Sequence, residues 1–232
     1  MLLLDIEGTT TPLEFVTGVL FPFARAHVHG FLEAHAADPA VREDFARLRD
    51  EHAEDERQGL TPPHWSDTPD AVTAYVHFLM DHDRKSTGLK ALQGRIWEEG
   101  YRSGALAGDL YPDVPAAFAR WHGHGREIAI FSSGSVLAQK LLFGHTPVGD
   151  LTGFIRGYFD TTTGPKRDQQ SYRAIAAALG FAPADVLFLS DVGEELDAAR
   201  QAGMETALCV RPGARAGTGP HPVVSTFDLV CP

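Results

Sequence analysis

The chain opens on an uninterrupted apolar run, Leu2-Leu3-Leu4, which meets Asp5, Ile6, Glu7, Gly8 and three threonines. Continuous rather than alternating hydrophobicity predicts a short strand covered on both faces, as in a parallel sheet. The pattern then changes. From residue 15 to about 102, apolar positions recur at helical spacing with no convincing strand between them. Val16, Val19, Leu20, Phe23, Val28, Phe31 and Leu32 mark a first helical stretch, which Pro22 is expected to break or kink. Val41, Phe45 and Leu48 mark a second, running out into the charged stretch Arg49 to Arg57. After a Pro-containing loop, Thr61 to Pro69, Asp67 or Thr68 can cap a third helix with Val72, Tyr75, Val76, Leu79 and Met80 on one face. Leu89, Leu92, Ile96 and Trp97 mark a fourth.

From Asp109 onward helices and strands alternate. A helix over Val114 to His122 stops at Gly123 and Gly125, and a strand follows over Glu127 to Phe131. The next helix starts near Ser135, and strand-like Phe154-Ile155 leads to Tyr158-Phe159. A helix from Asp168 to Leu179 ends at Gly180, Val186 to Ser190 form a strand, and a helix from Glu194 to Ala202 ends at Gly203. Thr206 to Val210 read as the last strand, and the Gly- and Pro-rich segment Arg211 to Pro222 as a surface loop. Such alternation predicts an α/β fold, a parallel sheet with helices on both faces. One strand precedes the helical stretch and the others follow it. The simplest organisation is a core of residues 1–14 and 103–232 with an all-helical insertion, residues 15–102.

Composition narrows the partners. With 31 acidic and 20 basic residues, the 232-residue chain has a formal net charge of -11, which disfavours nucleic acid. A small phosphorylated molecule is still admissible if a few cations converge locally. The opening apolar run is too short for a signal peptide, and no stretch approaches the roughly 20 apolar residues of a membrane helix. Two cysteines, Cys209 and Cys231, make no disulfide framework; Cys209, in an apolar run, reads as a small buried hydrophobe. The expectation is a cytoplasmic enzyme, monomeric because no heptad pattern is sustained.

Ligands of open α/β sheets bind outside the carboxyl ends of the strands, so the polar residues there are the candidates. The first strand delivers Asp5 and Glu7, the second Ser132 and Ser133, the loop after the third Lys166, and the fourth Ser190 and Asp191. If Asp5 attacks phosphorus, Glu7 can protonate the leaving oxygen and later activate water. Asp5 and Asp191 can share a magnesium ion, and Ser132 or the backbone N–H of Ser133 at a helix start suits a phosphate oxygen. Lys166 would balance the carboxylates and hold both Asp5 and the phosphate. Each residue alone also reads as a cap or a solvated side chain; agreement across four strand ends favours a site. The eleven histidines show no zinc-ligand spacing.

Taken in order, Asp5-Ile6-Glu7-Gly8-Thr9, Phe131-Ser132-Ser133-Gly134, Gly164-Pro165-Lys166 and Ser190-Asp191 resemble the four signatures of the haloacid dehalogenase (HAD) superfamily. A second Asp usually follows the nucleophile by two residues there; this chain has Glu7. That departure, with Leu20-Phe21-Pro22, Ser132 to Val136, Gln139 to His145, Asp83 to Thr87, Leu89 to Gly94 and Ser171-Tyr172, looks like the enolase-phosphatase E1 (acireductone synthase) family. The likeness spans nearly the whole chain. It implies a HAD-like Rossmannoid sheet with a helical cap inserted after the first strand. It also implies enolisation and then dephosphorylation of 2,3-diketo-5-methylthiopentyl-1-phosphate to acireductone, in methionine salvage, through an aspartyl-phosphate on Asp5. Magnesium would be held by Asp5, Asp191 and the main-chain carbonyl of Glu7. Arg84, Lys85 and Lys90 are candidate substrate contacts or ordinary exposed cations. Glu195 reads as part of a solvated helix face, with support of the metal's waters as the alternative. Two rivals remain: a HAD phosphatase for another small phosphoester, and a receiver-like module phosphorylated on Asp5.

Overall fold

The computed structural model describes residues 1–213 and 220–231. They divide into two compact units, Met1–Val16 with Ala107–Pro232, and Thr17–Leu106. Along the chain, strand β1 (Leu2–Leu4) and the short helix α1 (Leu13–Phe15) lead into a π-helical turn, Val16–Leu20. Helices α2 (Phe21–His35), α3 (Pro39–Arg57), α4 (Pro69–Asp81) and α5 (Thr87–Arg102) follow. Then come α6 (Val114–Gly123), β2 (Ile128–Phe131), α7 (Val136–Gly144), β3 (Ile155–Phe159), α8 (Gln169–Leu179), β4 (Leu187–Ser190), α9 (Gly193–Gln201), β5 (Glu205–Cys209) and β6 (Val223–Val224).

The sheet of the first unit has the order β3-β2-β1-β4-β5-β6, and every pairing is parallel. β1 is central, which is why its three leucines are all buried. On one face Leu3, Ala129, Phe131 and Phe188 pack against Tyr172, Ile175 and Leu179 of α8 and Leu196 and Ala199 of α9. Leu2, Leu4, Ile128 and Ile130 alternate with these along β1 and β2, point to the opposite face, and are equally buried. Connections that run outward from β1 in both directions create a topological switch between β1 and β4, where a crevice opens at the carboxyl ends.

The second unit is entirely helical. Its apolar stripes, including Val28 and Leu32 of α2, Leu48 of α3, Val76 and Leu79 of α4, and Leu92 and Ile96 of α5, are buried. Two buried carboxylates are matched by cations: Asp44 by Arg95 Nε at 2.6 Å and Arg47 Nη1 at 2.9 Å, and Asp55 by Arg84, with Tyr75 Oη donating to it at 2.9 Å. Thr68, not Asp67, caps α4.

Pro22 interrupts the run without ending it: the backbone is helical from Leu13 through Leu20 into α2, and the regular α ladder gives way to the π turn Val16–Leu20 directly before the residue that lacks an N–H. Two expectations need correction. Thr206 to Val210 is not the last strand, because Val223-Val224 adds a two-residue parallel strand to β5; a run that short carries no periodicity. Arg211 to Pro222 is not simply a surface loop: residues 214–219 lie outside the described residues, but Arg211 and His221 are buried. Among the described residues no helix is long and apolar enough to cross a membrane.

Candidate active site

Asp5 is the first residue past β1, and its amide donates to the Leu189 carbonyl of β4 at 3.0 Å. Its side chain is buried. Oδ1 accepts from the Ile6 amide at 2.8 Å and from Lys166 Nζ at 2.6 Å. Oδ2 lies 3.0 Å from Ser190 Oγ. Lys166 Nζ is also 2.6 Å from Glu195 Oε2, which lies 3.1 Å from the same serine hydroxyl. One ammonium and one hydroxyl therefore bridge two buried carboxylates. Burial alone would lower the Lys166 pKa, but Asp5 and Glu195 outweigh it and hold the amine above its ordinary range. Burial and the Asp5 charge raise the Glu195 carboxyl.

The loop carrying Lys166 is held from behind. Ser171 Oγ donates to the Pro165 carbonyl at 2.8 Å and Tyr172 Oη to the Lys166 carbonyl at 2.6 Å. Tyr172 is itself fixed between Phe131 and Phe188, with centroids 5.4 and 5.1 Å away. The Ser171-Tyr172 pair thus ties the start of α8 to the lysine.

Asp191, just past β4, stands exposed at the rim, with its amide donating to Thr9 Oγ1 at 3.1 Å. Its carboxylate lies over Gly8, whose φ is +69°; a Cβ there would come within 2.2 Å of Oδ2. The surrounding protein and the Asp5 charge push Asp191 up to about 6. Glu7 is raised too, by burial first and then by Asp5. Asp5, Glu7, Asp191 and Glu195 thus share one neighbourhood with the Lys166 ammonium, leaving an excess of negative charge that a divalent cation would neutralise. Among the described residues no three His, Cys, Asp or Glu side chains form a ready metal-ligand set. The oxygen donors fit magnesium, which keeps several waters and needs only one or two carboxylates.

A profile of haloacid dehalogenase-like hydrolases matches residues 1–203. The structure of the UTR4 protein from Saccharomyces cerevisiae superposes with a TM-score of 0.82 at 35% identity, over 99% of both chains. A Pseudomonas syringae protein named Enolase-phosphatase E1 is 46% identical over 232 residues, all of this chain and 96% of its own length. A protein of the same name from Synechococcus elongatus is 55% identical over 230 residues, 98% of this chain and 95% of its own. The chain belongs to the enolase-phosphatase E1 family. It is accordingly a HAD-type hydrolase, and the parallel sheet with its flanking helices is the HAD-like fold.

Within this E1-family chain, Asp5 and Lys166 are in direct contact and Asp191 borders the same loop. Ser132 follows β2, the strand beside β1, and its Oγ accepts from the Gly134 amide at 3.1 Å. Ser133 is not at a helix start: α7 begins at Val136 under a Ser135 cap. The turn between them is pinned by Gln139 Nε2, which donates to the Gly134 and Phe159 carbonyls at 2.8 and 2.9 Å. Arg84 is engaged by Asp55, Lys85 is exposed and Lys90 half-buried.

Glu195 overturns its expectation as a solvated helix residue: it is 8% exposed. The signal was present. Glu195, Ala198, Ala199 and Ala202 follow the i, i+3, i+4, i+7 pattern and all are buried, so the acid continues an apolar stripe. Arg211 is the second residue whose surroundings the sequence pattern misses: it is buried, not part of a surface loop.

Proposed function

We propose that this chain is a magnesium-dependent enolase-phosphatase that converts 2,3-diketo-5-methylthiopentyl-1-phosphate to acireductone and inorganic phosphate, in methionine salvage. The observation carrying the phosphatase half is Asp5, a buried carboxylate at the switch point of the sheet, touched by an ammonium and a hydroxyl. The Asp5 carboxylate attacks phosphorus and the P–O ester bond breaks, leaving an aspartyl-phosphate. Glu7, two residues beyond the nucleophile, gives its proton to the leaving oxygen. The Glu7 carboxylate then takes a proton from water, which attacks the aspartyl-phosphate and releases phosphate with Asp5 restored. Lys166 would orient Asp5 beforehand and offset charge on the transferred group, and Ser132 with the following turn would receive phosphate oxygens.

Asp5, Asp191 and the Glu7 carbonyl would hold magnesium, which when bound neutralises carboxylate and phosphate charge and polarises the ketone for enolisation. The helical unit would serve as a cap that keeps bulk water from the aspartyl-phosphate, with Lys85 and Lys90 as candidate contacts. Two free thiols, Cys209 and Cys231, accord with a cytoplasmic enzyme, and we take it to act as a monomer.

The test is phosphate release from the diketo phosphate with magnesium, followed alongside the ultraviolet absorbance of the enediol. Both signals should rise together and vanish with chelator, and Asp5→Asn should show neither phosphate release nor turnover. Phosphate from simple esters with no signal from the diketone would discard this substrate.

A further inference from the structure

We propose that Arg211 is a positioning residue whose guanidinium, through Thr9, holds Asp5 and Asp191 in the geometry that binds metal; this rests on reading those two acids as the magnesium ligands. Arg211 lies two residues past β5 and is 3% exposed. Its Nε and Nη2 both donate to the Thr9 carbonyl, at 2.8 and 2.6 Å. Nη1 pairs with Asp113 Oδ2 at 2.7 Å. The planar group is sandwiched between Tyr111 and Phe227, whose ring centroids lie 4.3 and 4.4 Å from it. Asp113 is fixed in turn, accepting from the Phe227 amide at 2.6 Å and from Thr226 Oγ1 at 3.1 Å.

The Thr9 end of this clamp faces the acids. The Thr9 carbonyl takes the guanidinium, while its hydroxyl accepts the Asp191 amide at 3.1 Å. Thr10 Oγ1 donates to the Asp5 carbonyl at 3.2 Å, and the Thr10 carbonyl accepts from the Tyr111 amide at 3.0 Å. One two-residue segment therefore links the backbones of both acids to one buried guanidinium. Asp113 balances the Arg211 charge, so what Arg211 contributes is its shape: a fork that bonds one carbonyl twice while stacking on two rings. Lysine would keep the charge and lose both the fork and the stack.

Arg211→Lys therefore separates geometry from charge. In calorimetric titrations with magnesium ion alone, without substrate, Arg211→Lys should bind roughly 10- to 100-fold more weakly than wild type, the range typical for lost partners of ligand-orienting groups. In turnover, the half-saturating magnesium concentration should rise by a similar factor while the substrate KM at saturating magnesium stays put. A folded Arg211→Lys protein with wild-type magnesium affinity would overturn the proposal and leave Arg211 as a strut of the fold. Should that variant not fold, Tyr111→Leu keeps the guanidinium but removes one stacking face; unchanged magnesium affinity there would equally overturn it. Wild-type protein that takes up no magnesium in the titration would sink the reading of Asp5 and Asp191 as ligands, and this proposal with it.

Discussion

Gly8→Ala should damage function far more than stability, and the geometry says by how much. At φ +69° an alanine incurs the left-handed backbone cost of roughly 1–2 kcal/mol. Its Cβ would lie 2.2 Å from Asp191 Oδ2 and 2.6 Å from Cγ, whereas an ordinary contact needs about 3.5 Å. The neighbour is the far end of an exposed side chain, so it can retreat by roughly 1 Å with little further loss of stability. That retreat carries a proposed metal ligand out of place, and a misplacement of that size costs on the order of 100-fold in rate. Gly180→Ala is the matched control: φ is +78°, but a Cβ would meet nothing within 4 Å. Thermal unfolding should show similar losses for the two variants, and phosphate-release assays should show a rate loss for Gly8→Ala alone. Near wild-type turnover by Gly8→Ala, or equal rate losses in both variants, would refute the link between this close approach and the chemistry.

Lys166→Met leaves Asp5 and Glu195 buried without their shared cation, and should cost about 3–5 kcal/mol in denaturant unfolding. Adding Glu195→Gln should return part of that stability without returning turnover; a loss below about 1 kcal/mol for the single variant would contradict the charge balance drawn here. Tyr172→Phe orphans the Lys166 carbonyl, so stability should fall by about 1–3 kcal/mol with a lower kcat and little change in KM; an unchanged melting temperature would show that the hydroxyl bond is dispensable. Burial would raise the Asp113 carboxyl, but the Arg211 and Phe227 hydrogen bonds win and hold it below the usual carboxylate range. A depressed folded pKa stabilises above the unfolded value and is lost as pH falls through the folded one. The melting-temperature gap between wild type and Asp113→Asn should therefore be full at neutral pH and close below about pH 4; a constant gap down to acid would rule out the linkage.

Much of the fold was legible because its signals are contiguous. Three consecutive leucines announced a strand covered on both faces, the Asp67-Thr68 pair and Ser135 announced helix starts, and Gly180, which the structure holds at φ +78°, announced a helix end. Each rests on the backbone needs of a few neighbouring residues. The strand ends bearing Asp5, Ser132 and Asp191 followed from the same reading, since in a parallel sheet they must share one rim. Glu195 was half legible: its helical register matched the buried alanines, but charge alone suggested solvent.

The sequence by itself determined the order of the elements as far as β5, though not the two-residue β6, and the polar side chains that arrive at the carboxyl ends of the first four strands. Only the tertiary structure decided that Lys166 would lie between Asp5 and Glu195, that Asp191 would rest on Gly8, and that Arg211 would close on Thr9 across 202 positions. Those contacts depend on how distant strands and loops pack together, and no local periodicity encodes where an isolated polar side chain will find its partner.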